Sequence, residues 1–191
     1  RWLGPLLAHL GDPAVAAVAP RVIARPDPRT PASLVAYETD GSPLDLGSDP
    51  AVVRPGSPVP YVPTAALVVR RHDLAAVDGF DETLRQGEDV DLVWRLDAAG
   101  RTVRYEPSVI ASHPTRPSVG AWLAQRVGYG ASAAPLAARH GRAVAPLRIS
   151  GWSAAAWGLA AVGHPAAGLA VAAGSTAALA RRLRGLDDPT A

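Results

Sequence analysis

Two adjacent carboxylates, Glu88 and Asp89, follow Gly87 and open an apolar-periodic run that ends at Gly100. Acids in a first helical turn are stabilised by the helix dipole and by free backbone N–H groups, so the plain reading of either is structural. The same placement aims a short, stiff side chain beyond the helix end, where it could take the proton of an attacking hydroxyl. Asp89 is the candidate for such a general base. The dipole should keep it ionised at neutral pH and make it less basic than a free carboxylate. Asp91 and Arg95 stand at i and i+4, so they can pair on the helix and fix it. Upstream, Gly79-Phe80-Asp81 closes a helix and turns the chain. His140 and His164 suggest no chemistry by their surroundings.

The elements that must position these residues can be read from periodicity. Residues 1–10 look like the end of a helix, and Val15–Ile23 is a short apolar run that reads as a buried strand. Pro26–Pro60 is rich in Pro, Gly, Ser and Asp and reads as a long loop, with a short ordered piece around Leu34–Glu38. Ala65–Val69 reads as a buried strand and Arg71–Val77 as a short helix stopped at Asp78-Gly79. Glu88–Ala99 is the clearest helix, with Gly100 as its C-terminal cap. Thr102–Tyr105 and Val109–Ser112 are strand candidates on either side of Pro107. Ser118 is a plausible N-cap for a helix running through Val127 and on toward His140. Strands alternating with helices indicate an α/β layer architecture.

Composition narrows the classes. The chain has no Cys, which excludes disulfides, zinc–thiolate sites and thiol nucleophiles. All nineteen basic residues are Arg, yet they are scattered, the net charge is +2 and only ten residues are aromatic, a poor match to a nucleic-acid binder. The first residue is Arg rather than Met, so the expectation is a fragment of a longer protein or a processed chain. From Ile149 to Ala180 there is no Asp, Glu, Arg or Lys, while Arg142 and Arg148 precede the stretch and Arg181, Arg182 and Arg184 follow it. One membrane-spanning helix needs about 20 apolar residues and two need about 40. A shallow helical hairpin broken near Gly163 and Pro165 fits the intermediate length, either at a membrane or as Ala-rich helices packed on the protein itself.

The segment GFDETLRQGEDVDLVWRL, Gly79–Leu96, resembles the acceptor-side segment of family 2 glycosyltransferases. The resemblance implies a GT-A fold, the α/β fold of nucleotide-diphospho-sugar transferases, and makes Asp89 the catalytic base. The segments DPAVAAVAPRV, PYVPTAALVVRR, GEDVDLVWRLDAAGRTVRYEP and YGASAAPLAARHG are further similar to the glycosyltransferases of the mycofactocin system, from Trp2 to Leu186. In the family a D-x-D motif holds a divalent metal, Mg²⁺ or Mn²⁺, against the donor diphosphate, and Trp-Leu follows it. Trp2-Leu3 would place that motif just before Arg1. His113, in ASHP, matches a His that often completes the metal site. Arg126, in WLAQRVGYG, matches in part a Q-x-x-R-W sequence that binds the donor diphosphate, although Trp122 here precedes Gln125 and Arg126.

The resemblance therefore implies an inverting, metal-dependent transfer of a sugar, glucose from UDP-glucose, to a small peptide-derived acceptor. Asp81, Glu88, Asp91 and Arg95 would support the site, and Phe80 and Trp94 would wall its acceptor side, with a place in the core as the equal alternative for Trp94. Residues 1–148 would be the acceptor-side part of the catalytic domain, 149–184 the hydrophobic hairpin and 185–191 a tail. The expected place is the cytoplasm, at the inner face of the plasma membrane. Two alternatives stand beside this reading: a family 2 transferase for a polysaccharide or lipid acceptor, and a non-catalytic, membrane-associated interaction module.

Overall fold

The computed structural model describes residues 2–144 and 150–184. They form two compact units, divided between Ala145 and Pro146.

The first unit is a mixed α/β layer structure. Its elements run α1 (Leu3–His9), β1 (Val15–Arg25), α2 (Ala32–Gly41), β2 (Ala51–Val53), β3 (Val68–Val69), α3 (Arg71–Ala76), α4 (Glu88–Ala98), β4 (Thr102–Pro114), α5 (Val119–Ala131) and α6 (Ala133–His140). The sheet order is β2-β4-β1-β3. β1 and β4 run parallel at its centre, with β3 antiparallel on one edge and β2 antiparallel on the other. β1 is apolar on both faces because both are covered. Ala16, Ala17 and Ala19 join Leu92, Val93 and Leu96 of α4 in the larger core, whereas Val15 and Val18 meet Leu6 of α1 and Val109. A strand buried on both sides reads as a continuous apolar run rather than an alternation.

The β1–β4 ladder breaks between Pro20 and Arg21, where the partner jumps from Glu106 to Ile110. Pro20 and Pro107 lack an N–H to donate, so the ladder slips there instead of continuing. The two short strands expected around Pro107 are thus one interrupted strand.

Two other expectations need correction. Ala65–Val69 does not pair along its length; only Val68 and Val69 do, on an edge and half-buried. In the Pro-rich segment 26–60 the ordered piece expected around Leu34–Glu38 is the longer helix α2, and β2 is a second, unexpected element. The segment's order comes from distant partners. Tyr61 Oη donates to Pro43 O at 3.0 Å, Tyr105 Oη to Gly47 O at 2.7 Å, and Trp94 Nε1 to Pro60 O at 2.7 Å. Arg21 clamps Asp45 through two bonds of 2.8 and 2.9 Å. Tertiary contacts of this kind override local composition.

The second unit consists of α7 (Gly151–Ala161) and α8 (Pro165–Arg184), packed on one another. Ser150 caps α7 by accepting from Ser153 N at 3.1 Å, and Gly163, at φ 88°, makes the turn. Trp152 and Trp157 are largely exposed. Among the described residues, no helix is long and apolar enough to cross a membrane.

Candidate active site

The head of α4 is built around Gly87. It holds φ 84°, ψ 8°, a left-handed conformation that only glycine adopts without strain. A Cβ there would also lie 3.0 Å from Leu136 Cδ1 and 3.1 Å from Ser132 Cβ, so the start of α4 can approach the α5–α6 junction only because position 87 has no side chain. Glu88, Asp89 and Asp91 fill the first turn.

Glu88 and Asp89 line a cleft of ≈ 570 Å³ together with Tyr61, Gln86, His113, Arg116, Arg126 and Tyr129. Of the residues singled out in the sequence, the cleft therefore gathers Glu88, Asp89, His113 and Arg126. Asp89 is half-buried, and its Oδ1 accepts from Val90 N at 2.8 Å. Burial pushes its carboxyl up. Backbone N–H groups pull the other way and Glu88 adds to the rise. The expected fall in basicity from the helix end is thus corrected: loss of water outweighs the local N–H groups. Tyr61 is pushed up to about 12 by burial and by the Asp89 charge.

His113 turns its Nδ1 toward Pro114 O at 2.9 Å. A carbonyl only accepts, so Nδ1 carries the proton and Nε2 keeps the lone pair a metal ligand needs. Yet the described residues contain no group of three or more His, Asp or Glu side chains able to hold a metal ion. His113 is a single donor, and the described residues do not by themselves make the metal site that the family resemblance implies.

Arg126 lies against two aromatic faces, with its guanidinium carbon 5.2 Å from the Trp122 ring centre and 5.9 Å from that of Tyr37. It also pairs with Glu38 at 3.3 Å. Glu38 is buried, and it accepts from Trp122 Nε1 at 2.8 Å. α2 and α5 are locked together by this cluster, which composition could not reveal because α2 lies in the Pro-rich segment.

The remaining predicted site residues lie away from the cleft lining. Trp94 sits in the core, the second of its two expected places, 7% exposed and tied to Pro60. Phe80 is 42% exposed on the turn after α3 and is not among the residues that line the cleft. Asp81 caps the Thr83 N–H and hydroxyl and pairs with Arg139.

Asp91 is almost wholly buried, at 1% exposure. It accepts from Arg95 Nε and from His140 Nε2, each at 2.8 Å. Arg95 in turn donates to Val77 O and, at 2.6 Å, to Gly79 O. Asp91 therefore joins α4 to the turn after α3 and to the end of α6. The sequence showed the Asp91–Arg95 pair by its i, i+4 spacing. It gave no signal for His140, which arrives from 49 residues away. Arg116 was also passed over, although it stands three residues after His113.

The sequence model of the Glycosyl transferase family group 2 matches residues 3–180, and the chain belongs to that family. It is 48% identical over 162 residues to the pre-mycofactocin glycosyltransferases of Mycobacterium tuberculosis strains CDC 1551 / Oshkosh and ATCC 25618 / H37Rv. The alignment covers 85% of this chain and 34% of each relative, so the chain spans about a third of the length of the curated relatives it matches. No solved structure gives a significant match.

Proposed function

We propose that this chain is the acceptor-side part of an inverting glycosyltransferase that moves glucose from UDP-glucose to a small peptide-derived acceptor, the pre-mycofactocin class named for its relatives. The observation that carries the reading is Asp89: a half-buried carboxylate with a raised proton affinity, rigidly mounted at the head of α4 in a cleft that also holds His113, Arg116 and Arg126. In the proposed reaction, Asp89 takes the proton of an acceptor hydroxyl as its oxygen attacks the anomeric carbon. A new carbon–oxygen bond forms on one face of the sugar. The bond to the diphosphate oxygen breaks on the other, and its electron pair leaves with UDP. A divalent metal bound by carboxylates outside this chain would offset charge on the diphosphate, with His113 as one further ligand. Asp91 and Arg95 hold the helix that aims the base.

Helices α7 and α8, free of acidic residues and carrying exposed Trp152 and Trp157, favour a seat at the cytoplasmic membrane surface rather than across it.

The test is Asp89→Asn in the full-length protein that carries this chain. Loss of a general base lowers turnover by about 10²–10⁴-fold, and UDP binding should persist. Wild-type turnover in that variant would overturn the assignment. Transfer to a lipid or polysaccharide acceptor, with none to the mycofactocin precursor, would overturn the acceptor class.

A further inference from the structure

We infer that Arg116, rather than Arg126, is the arginine of this chain that grips the donor's diphosphate; the inference rests on the transferase reading above. Both arginines line the cleft, so position alone does not separate them. Their partners do. Arg126 is engaged, paired with the buried Glu38 at 3.3 Å and lying against Tyr37 and Trp122, although its Nε is buried without a hydrogen-bond partner among the described residues. A cation held by a buried carboxylate is costly to redirect to a second anion, because moving it would strand Glu38 without its charge partner.

Arg116 is the opposite case. It is half-buried in the cleft wall, yet its guanidinium has no carboxylate partner and no hydrogen bond among the described residues. Its main chain, by contrast, is firmly tied. Thr30 Oγ1 donates to Arg116 O at 2.8 Å and sits 2.8 Å from Thr115 Oγ1, which accepts from Asp27 N at 3.0 Å. Thr115 N donates to Arg25 O at 2.9 Å, holding this segment to the end of β1. The base of the side chain is fixed while its charged end is uncommitted. The charge is felt inside the cleft, where Arg116 pulls the Tyr129 phenol down against the rise that burial imposes. A planar guanidinium with five N–H donors matches the paired oxygens of a phosphate group in a way that a lone ammonium does not.

The experiment is calorimetric titration of UDP into the full-length protein, with a thermal melt of each variant. Arg116→Gln should weaken UDP binding by about tenfold or more, the effect of losing charged hydrogen bonds, with an unchanged melting temperature. Donor KM should rise with it while acceptor KM stays put. Arg116→Lys should fall between wild type and the Gln variant. Arg126→Gln should keep UDP affinity near wild type but lower the melting temperature, because Glu38 loses its partner. UDP affinity unchanged in Arg116→Gln would overturn the inference. So would an Arg126→Gln protein that loses UDP affinity and keeps its melting temperature. A wild-type protein that fails to bind UDP would remove the transferase reading and this inference together, whereas an unchanged Arg116→Gln beside an inactive Asp89→Asn would remove this inference alone.

Discussion

Asp89 stands where two opposing effects meet. Free N–H groups at the start of α4 favour its charged form, and removal from water disfavours it; burial is the larger. A base must be ionised to accept a proton, so its raised pKa sets the acid limb of the rate profile. We expect kcat/KM to fall, as pH drops, at a value above the ordinary Asp figure of about 3.9. A pH–rate profile of the full-length protein checks this. Stability should move in the opposite sense. Because the folded-state pKa lies above the unfolded one, ionising Asp89 costs stability. That cost appears as pH rises through the interval between the two pKa values, and is complete above the folded one. Asp89→Asn should therefore melt higher than wild type at pH 7, and the difference should vanish once both states are protonated in acid. The same residue would then be a loss to the fold and a gain to the reaction. Asp89 itself was legible from the sequence, by its place behind Gly87. The sense of its pKa shift was not, because desolvation depends on what closes over the carboxylate.

At the scale of elements, α4 is the part that must not move. Its start depends on Gly87, where the backbone is left-handed and Leu136 and Ser132 leave no room for a Cβ. Gly87→Ala should cost on the order of 1–3 kcal/mol for the strained backbone alone, more if the neighbours cannot yield, and should lower activity by shifting Asp89. Chemical denaturation and turnover measured together check both parts. α4 was plainly readable because its apolar period is strong and glycines bracket it. α2 was legible only as a short ordered piece around Leu34–Glu38, since neither its own turn chemistry nor its apolar content marks its ends; Trp122 and Arg126 of α5 give Glu38 and Tyr37 something to pack on. β4 fell between these cases. Pro107 correctly marked a break, but the break is a slip in pairing with β1 rather than the end of a strand.

At the scale of the molecule, the two units differ in how they satisfy themselves. The first buries both faces of its sheet, and its edge strands β2 and β3 have only three and two residues, which limits edge-to-edge pairing. The second leaves Trp152, Trp157 and Leu169 exposed on helices with no acidic residue, and Val162 exposed in the turn between them. If that surface meets lipid, the full-length protein should float with anionic phosphatidylglycerol vesicles and bind neutral ones less. Near an anionic surface each flanking Arg is worth about 1 kcal/mol. Trp152→Ser with Trp157→Ser should cut vesicle binding several-fold. Co-flotation that ignores both the tryptophans and the lipid charge would count against a membrane seat.

The buried carboxylate of Asp91 has a consequence for how the protein tolerates change. Arg95 and His140 both close on the Asp91 carboxylate, and Arg95 carries the link on to the turn after α3, so positions 91, 95 and 140 share a single fate in any library of variants. The first lesion, Asp91→Ala for example, should cost about 3–5 kcal/mol, since it leaves Arg95 and His140 facing one another without the anion. A second lesion at 95 or 140 should then cost far less than it does alone. Selection would see these sites as one strongly epistatic block: rare single escapes, and viable sequences that replace the whole cluster at once with apolar residues of similar volume.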